Sequence, residues 1–368
     1  MAKRLASFKG CLLGLAVGDA MGRPVDDWNL DEIHKTFGPS GLMGYDCMNG
    51  YATVTAHTQL AAHVANGLLI GMTRGQMRGK MAPYIRYVYV AEYEWARQQT
   101  YRRDTSKPFF CWIGREEVMH AHRTRDNMMV DTLISDRIGT MEEPRNKRDS
   151  ASALAAAVPV GLFYEPGRAD RAEVMRLGAE TVALTHGSPS AFLCGAAVSY
   201  LISRVAVDGE HNLRMLLKET MEALREQFGH DYSSAVGELC QALQTVLSLA
   251  ISPTMEETDV MEQLDCDTAV RVLTGALYAC VIHPGNFEAA MVTAINHSGR
   301  SAAVGALTGA IFGAMQGDRE LRDYFLADLE PVEGLEVLAT DLYQGCPMMQ
   351  GSVMFDFEWD EKYVSYRR

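Results

Sequence analysis

The side chains that could do chemistry lie in four short stretches of this sequence. The stretches read GLAVGDAMGRPVDDW, ATVTAHTQLAAH, ALTHGSPSA and AINHSGRSAAVGALTG, and each adjoins an apolar segment. They contain carboxylates, imidazoles, hydroxyls and guanidinium groups, which can transfer protons and bind anions. The elements around them decide which of these groups can act together.

The first stretch clusters three acids, Asp19, Asp26 and Asp27, around the end of an apolar helix-like segment. Acids just beyond a helix most often form a solvated surface. A carboxylate that faces a cleft can instead take a proton during catalysis. Asp26 and Asp27 are therefore the candidates for a general base.

The second and third stretches place polar side chains at turns between predicted helices. Thr55 is a candidate N-cap, and the helix-start amides near Thr58 favour an anion. His57 and His63 are not spaced to share a helix face, which argues against a metal pair. His186 lies in a Gly/Ser/Pro turn, where it either bonds to the loop backbone or faces a pocket.

The fourth stretch opens a glycine-rich helix and contains His297, Ser298, Gly299, Arg300 and Ser301. The positive charge of Arg300 opposes the helix dipole unless an anion or an acid neutralises it. The pattern therefore indicates either a bound anion or an acidic partner for Arg300.

Apolar residues recur with a helical period through most of the chain, and only GYATVTA alternates as a strand does. Ser188 and Pro189 mark one helix start, while Pro284 and Gly285 mark a helix end. No linker divides the chain, so we predict an all-α fold with a single compact domain over residues 1–368. The predicted helices cover 5–21, 58–71, 79–98, 151–163, 170–185, 189–206, 211–228, 233–250, 267–282, 286–297, 301–316 and 319–327.

The segment 99–150 interrupts this helical pattern. It is charged and irregular, with the runs RRDTSK and EEPRNKRDS. We expect an insertion or a mobile loop there, and the sequence leaves open whether it acts as a lid or as an interface.

Two of the predicted helices carry a glycine at every fourth position. Glycine costs a helix interior up to ~1 kcal/mol relative to alanine, so these stripes need a packing reason. A stripe of small residues lets another backbone approach closely. We expect the two helices to pack against each other at the centre of the bundle. The stripes are Gly10, Gly14, Gly18 and Gly22, and Gly305, Gly309, Gly313 and Gly317.

The composition is that of an ordinary globular protein, with 48 % apolar and 22 % charged residues, which is enough for a sizeable core. The net charge of −13 argues against binding to nucleic acid or acidic membranes. The cysteines show no CxxC spacing, which is typical of reduced buried thiols rather than a zinc site.

The apolar run at the N-terminus differs from a signal peptide, because glycines interrupt it and it reaches Asp19. We expect no other apolar stretch to provide the ~18 residues of a membrane span. We expect a cytoplasmic protein without a membrane partner.

The order of the four stretches resembles the ADP-ribosylglycohydrolase family, which includes dinitrogenase-reductase-activating glycohydrolases and jellyfish lens crystallins. FKGCLLGLAVGDAMGRPVDDW is similar to the family's opening GxxxGxxxGDxxGxPxE. THGSP with its apolar helix resembles the middle, and FEAAMVTAINHSGRSAAVGALTGAIFGA resembles the closing segment. The resemblance covers most of the chain. It implies an orthogonal helical bundle and hydrolysis of the glycosidic bond between ADP-ribose and a protein side chain or small acceptor.

Members of this family use a pair of Mg²⁺ ions, whose ligands resemble T-D-D-T and G-D-x-D-T at two helix starts. Here the motifs read Thr55-Ala56-His57-Thr58 and Gly299-Arg300-Ser301-Ala302-Ala303. Alanine has no ligand atom, imidazole is a poor ligand for Mg²⁺, and the fixed charge of arginine repels a cation. We therefore expect no metal ion and no other cofactor.

The replacements turn an acidic metal cup into a neutral-to-basic pocket. We hypothesise that Arg300, with His57, occupies the space of the metals and contacts a phosphate, carboxylate or ribose of the ligand. In the alternative, Arg300 pairs with an acid such as Asp19 and the cleft is inert. The candidate ligand-binding residues are Thr55, His57, Thr58, His186, His297, Ser298, Gly299, Arg300 and Ser301.

Three classes of function remain open. The first is a metal-free divergent member or pseudoenzyme that binds ADP-ribose, a related nucleotide or an ADP-ribosylated protein. The second is a hydrolase of ADP-ribosyl bonds with metal-independent or rebuilt-metal chemistry, in which Asp26 or Asp27 is the base. Asp26 falls where the family carries an acidic residue on a flap over the substrate. The third is a structural protein without a small ligand. The sequence favours the first and leaves the ligand, the acceptor and the oligomeric state open.

Overall fold

The computed structural model of this chain is built from α-helices, as the sequence predicts. It describes residues 4–47, 50–100, 109–135, 137–163, 170–251, 255–321, 323–330 and 332–365. Among these residues, β pairing is limited to two isolated bridges, and GYATVTA does not form a strand. The helices are α1 (Leu5–Gly22), α2 (Leu30–Phe37), α3 (Ala56–Arg78), α4 (Tyr84–Gln98), α5 (Glu117–His120), α6 (Asn127–Ile134), α7 (Val158–Phe163), α8 (Arg171–Ala183), α9 (Pro189–Ile202), α10 (Leu213–Phe228), α11 (Ser233–Ile251), α12 (Glu257–Leu264), α13 (Ala269–Ile282), α14 (Phe287–Ile295), α15 (Ser301–Gln316), α16 (Asp323–Ala327), α17 (Glu333–Gln344) and α18 (Phe357–Tyr363).

The glycine stripes of α1 and α15 face each other, which confirms the predicted pairing of these helices. A Cβ on Gly14 would overlap the carbonyl oxygen of Gly309, and a Cβ on Gly309 would overlap that of Gly14. Only glycine allows two backbones to come this close. The same contact repeats at Gly10 with Gly313 and at Gly18 with Gly305.

The last glycine of the first stripe determines what lies at the end of the helix pair. Gly22, at the end of α1, packs against the backbone of Ser301 at the start of α15. The residues that follow α1 and those that precede α15 therefore meet at one end of the pair.

A continuous hydrophobic core surrounds the α1–α15 pair and contains residues from Phe8 to Tyr363. α9 and α13 are buried on nearly all sides. α10 and α11 each bury one apolar face, as amphipathic surface helices do. The eight cysteines form no disulfide.

The long helices agree with the sequence prediction better than the short ones. α15 spans the predicted residues, and α9 begins at Pro189 as expected. The sequence does not predict α2, α5, α6, α12, α17 and α18. α2 buries only Ile33, so its apolar pattern is too sparse to show a helical period.

The described part of the segment 99–150, which the sequence analysis interprets as an insertion or a mobile loop, packs against the body of the protein. The side chain of Gln59 on α3 donates to the backbone carbonyls of Val118 and Ala121. Residues 101–108, which contain the RRDTSK run, lie outside the described residues. Several apolar side chains of the segment are buried, among them Cys111, Ile113, Met119 and Met129.

Three helical stretches of the described chain are long and apolar enough to cross a membrane, so the expectation that no further stretch reaches this length is wrong. Leu5–Val25 and Pro189–Val207 are 83 % and 89 % buried inside the protein. Ser233–Ile251 is 33 % buried, and it exposes polar residues such as Glu238 and Gln241. Apolar length alone does not separate a core helix from a spanning helix here.

Candidate functional site

The connection after α1 meets the starts of α3 and α15 beside a cavity of about 640 Å³. Three of the four predicted stretches contribute to its lining. Asp26 comes from the first stretch, Thr55 and His57 from the second, and Arg300 and Ala303 from the fourth. The α1–α15 packing therefore gathers residues that are far apart in sequence.

The segment 99–150 forms another wall of this cavity, which the sequence analysis did not anticipate. Residues 122–129 line it, together with Arg148, Ser150, Ala151 and Ser152. The run HRTRDN within this wall could have indicated the site from the sequence alone. Its two arginines follow no helical period, so helix amphipathicity does not explain them.

Asp19 caps the start of α3 from its position on α1. Its Oδ2 accepts hydrogen bonds from the backbone N–H groups of Thr55, at 2.8 Å, and Thr58, at 3.2 Å. The hydroxyls of both threonines donate to the same carboxylate at 2.6 Å. Thr55 is the N-cap of α3, as predicted. Because Asp19 fills the anion position at this helix start, the amides near Thr58 are not available to a ligand.

Asp26 occupies the corresponding position at the start of α15. Its Oδ1 accepts a hydrogen bond from the backbone N–H of Ala302 at 3.1 Å. Burial raises the pKa of Asp26, and the hydrogen bond from Ala302 and the charge of Arg125 do not cancel this effect. The helix-start amides next to Ser301 thus face a carboxylate of the protein itself.

Arg300 lies half-exposed between two carboxylates. Its Nε donates to Asp267 at 3.0 Å, and its Nη1 forms an ion pair with Asp27. These acids neutralise a charge that would otherwise oppose the dipole of α15. The pairing matches the alternative in which an acid neutralises Arg300, but the partners are Asp27 and Asp267, whereas Asp19 is engaged with α3.

Arginines dominate the charge of the cavity lining. Asp26 and Asp126 are the acids among the lining residues of the described chain, so the five arginines outnumber the lining acids by three. Asp27, Asp267 and Glu330, outside the lining, pair with Arg125, Arg300 and Arg123. Burial lowers the pKa of Arg23, and the charges of Arg123 and Arg125 lower it further. The five are Arg23, Arg123, Arg125, Arg148 and Arg300.

Carboxylates behind the wall hold two of these arginines in place. Arg123 donates through Nη2 to Oε2 of Glu330 at 2.9 Å. Arg148 grips Asp126 with two nitrogens, one of them 2.6 Å from Oδ1. Burial acts to raise the pKa of Asp126, but the hydrogen bonds from Arg148 outweigh it and the pKa is lowered. Because these guanidinium groups are already held in place, little conformational entropy is lost when a ligand binds to them.

His186 and His297 are buried behind the cavity and do not line it. Nε2 of His186 lies 2.8 Å from the hydroxyl of Ser150, and its Nδ1 lies 2.8 Å from that of Thr185. Burial lowers the pKa of His186 to about 3 and that of His297 to about 4. The neutral His186 ring positions Ser150, which does line the cavity.

Ser298 and Gly299 do not line the cavity but bond to the residues that follow α1. The hydroxyl of Ser298 accepts from the backbone N–H of Leu30 at 2.8 Å, and the carbonyl of Gly299 accepts from that of Asp27 at 3.3 Å. Of the predicted set, Asp26, Thr55, His57 and Arg300 line the cavity. The others that do not are Asp27, Thr58, His186, His297, Ser298, Gly299 and Ser301.

The residues at the two metal-motif positions do not fit a pair of Mg²⁺ ions. Ala56 and His57 face the cavity from one motif, and Arg300 and Ala303 from the other. The N–H of Ala302 already occupies one oxygen of the nearby Asp26, and Asp27 and Asp267 pair with Arg300. In the described parts of the chain, no group of three or more His, Cys, Asp or Glu could hold a metal ion. Magnesium needs several hard oxygen ligands in octahedral geometry.

Comparison with known families gives the identity of the fold. The family model described as ADP-ribosylglycohydrolase matches residues 1–351. The chain belongs to the ADP-ribosylglycohydrolase family.

A solved structure titled "ADP-ribosylglycohydrolase-related protein complex" is similar in fold to this family member, with a TM-score of 0.59 and 21 % sequence identity. The match covers 93 % of this chain and 98 % of that chain. A search of curated proteins by sequence found no match. The ADP-ribosylglycohydrolase fold thus extends over nearly the whole chain.

Proposed function

We propose that this protein is a divergent ADP-ribosylglycohydrolase family member that binds ADP-ribose, or a related phosphate-bearing ligand, without a Mg²⁺ pair. The observation that carries the proposal is the excess of arginine in the cavity lining, next to positions that resemble the family's metal motifs. Arginine binds phosphate through paired, charge-assisted hydrogen bonds. An anionic ligand therefore takes the place that a metal pair would need.

The size of the cavity supports a nucleotide-sized ligand. A volume of about 640 Å³ lies within the ~300–1,000 Å³ of small-molecule sites. Because Asp19 and Asp26 already cap α3 and α15, the ligand is recognised by side chains of the walls. The same cavity would accept ADP-ribose either free or attached to a protein.

The proposal is tested by thermal unfolding with ADP-ribose, with Mg²⁺ and with both, each compared in the presence of EDTA. A ligand at ~100 times its dissociation constant adds about 2.7 kcal/mol to the stability of the folded state. We expect ADP-ribose alone to raise the melting temperature and Mg²⁺ to add nothing. A shift that requires Mg²⁺, or no shift at all, would contradict the proposal.

Substitution of Arg300 tests its role in the cavity. We expect Arg300→Ala to weaken ADP-ribose binding by about tenfold, the effect of one charged hydrogen-bond donor, as measured by titration calorimetry. Arg171→Ala is the matched control, since both arginines are 45 % exposed and pair with an aspartate, but Arg171 lies outside the cavity lining. Equal affinities of the two variants would exclude Arg300 from binding.

Metal-independent hydrolysis is the second candidate function, and Asp26 is the observation that favours it. This carboxylate lines the cavity and has a raised pKa, which suits a general base. If the activity exists, N- and O-linked ADP-ribosyl substrates are cleaved in EDTA, and Asp26→Asn abolishes cleavage while ADP-ribose still binds. If the substrates bind but stay intact in EDTA, the protein is a pseudoenzyme.

A further inference from the structure

Three arginines crowd one part of the cavity wall. Arg23 follows α1 directly, whereas Arg123 and Arg125 precede α6 in the segment 99–150, and all three line the same cavity. Like charges gathered in this way destabilise one another, as the lowered pKa of Arg23 reflects together with its burial. A bound anion would remove this repulsion.

Arg125 is held less firmly than Arg123. Its Nη1 lies 3.3 Å from Asp27 and 3.8 Å from Asp26, and its side chain is 66 % exposed. Such loose, exposed ion pairs contribute little free energy. The guanidinium group of Arg125 can therefore exchange these carboxylates for a ligand oxygen at low cost, whereas Arg123 stays anchored to Glu330.

We propose that Arg23, Arg123 and Arg125 form a subsite for two linked phosphates. The inference depends on the proposed function for the cavity, narrows its phosphate-bearing ligand to a compound with a diphosphate group, and assigns the residues that bind this group. Three guanidinium groups from two separate parts of the chain can bridge adjacent phosphates, since each group offers paired N–H donors. Two linked phosphates offer more acceptor oxygens over a longer span than a single phosphate does, so they can satisfy more of these donors at once.

The subsite is tested with inorganic pyrophosphate and inorganic phosphate, titrated calorimetrically into the full chain in EDTA. We expect pyrophosphate to bind at least about tenfold more tightly than phosphate. Arg125→Ala should weaken pyrophosphate binding by about tenfold or more, the loss of one charge-assisted contact.

Arg176→Ala is the matched control, because Arg176 is 63 % exposed, pairs with Glu180 and lies outside the cavity lining. We expect this variant to bind pyrophosphate as the unmodified protein does. Arg123→Lys keeps the charge but loses the paired donors, and we expect an intermediate affinity. Melting temperatures of all variants verify that they fold.

The outcomes separate the subsite from the proposed function. The subsite is overturned if pyrophosphate does not bind, even if ADP-ribose does. It is also overturned if Arg125→Ala and Arg176→Ala bind pyrophosphate with equal affinity. Pyrophosphate binding that Arg125→Ala weakens, in a protein that does not bind ADP-ribose, supports the subsite and overturns the proposed ligand.

Discussion

Asp19 and Asp26 show how single residues can stabilise a helix start that faces a cleft. The first N–H groups of a helix have no partner within the helix and need an acceptor. Asp19 supplies it for α3, and Asp26 for α15. The protein thereby fills with its own carboxylates the two positions that most favour a ligand anion. A ligand anion would therefore be bound by the arginines of the cavity walls.

The ionised carboxylate of Asp26 lowers the stability of the folded protein, and a neutral side chain at this position would remove that penalty. Because burial raises its pKa, the ionised carboxylate is less stable in the folded protein than in the unfolded chain. This penalty is present above the folded pKa and absent below the unfolded pKa. The substitution Asp26→Asn would keep an oxygen for the Ala302 N–H, so we expect it to raise the melting temperature at pH 7 by a few degrees.

Thermal unfolding between pH 3 and pH 7 checks this expectation. Near pH 3 the variant and the unmodified protein should melt alike, since Asp26 is then largely protonated in both states. Asp131→Asn, at an exposed position on α6, serves as the control with no comparable gain. Equal melting temperatures at pH 7 would show that Asp26 is not penalised by burial.

At the scale of helices and connections, the sequence predicted the α1–α15 pair that supports the site. It did not predict that the segment 99–150 forms another wall of the cavity. The four-residue glycine spacing predicted the α1–α15 contact, because no other residue permits that approach. The resemblance to the family, rather than this spacing, placed Asp26 and Arg300 in one cleft. Arg123, Arg125 and Arg148 were missed, since they follow no period and short helices such as α6 give a weak pattern.

The α1–α15 contact makes a prediction about glycine itself. Alanine at position 14 would force the backbones of Gly14 and Gly309 apart. We expect Gly14→Ala to destabilise the protein by about 3 kcal/mol or more, as overpacking of a tight core does. Urea-induced unfolding measures the difference.

Gly237 provides a control within a helix of the same protein. It lies on α11, and an added Cβ would meet nothing within 4 Å. Gly237→Ala should therefore stabilise the protein by up to ~1 kcal/mol through helix propensity alone. Destabilisation of similar size in both variants would show that close packing is not the reason for the stripe.

Across the whole molecule, a negative net charge accompanies a cavity rich in arginine. The chain carries a net charge of −13, whereas five arginines line its cavity. A negative surface repels large polyanions, and guanidinium groups inside a cavity can bind a small anion that enters it. This arrangement selects ligands by size as well as by charge.

Three buried histidines make the stability of the whole protein sensitive to acid. Burial lowers the pKa of His63 and His297 to about 4 and that of His186 to about 3. Neutral rings therefore contribute stability that is complete above the unfolded pKa of ~6.5 and is lost as the pH falls toward 4. We expect a loss of roughly 2 kcal/mol per histidine at pH 5.

Urea-induced unfolding at pH 7, 6 and 5 measures this loss. His186→Asn should lose about 2 kcal/mol less than the unmodified protein between pH 7 and pH 5. His230→Asn, at a fully exposed position with a side chain 98 % accessible, should leave the pH dependence nearly unchanged. A pH dependence that His186→Asn does not reduce would contradict neutral burial of this ring.

The α1–α15 contact also determines when this protein can fold during its synthesis. The two helices are separated by the whole chain between Gly22 and Ser301. A ribosome that adds ~5–20 residues per second needs roughly a quarter of a minute to a minute to reach α15 after completing α1. Throughout this interval the apolar α1 lacks its principal partner. We therefore expect the nascent chain to expose the apolar surface of α1 to chaperones until α15 has been translated.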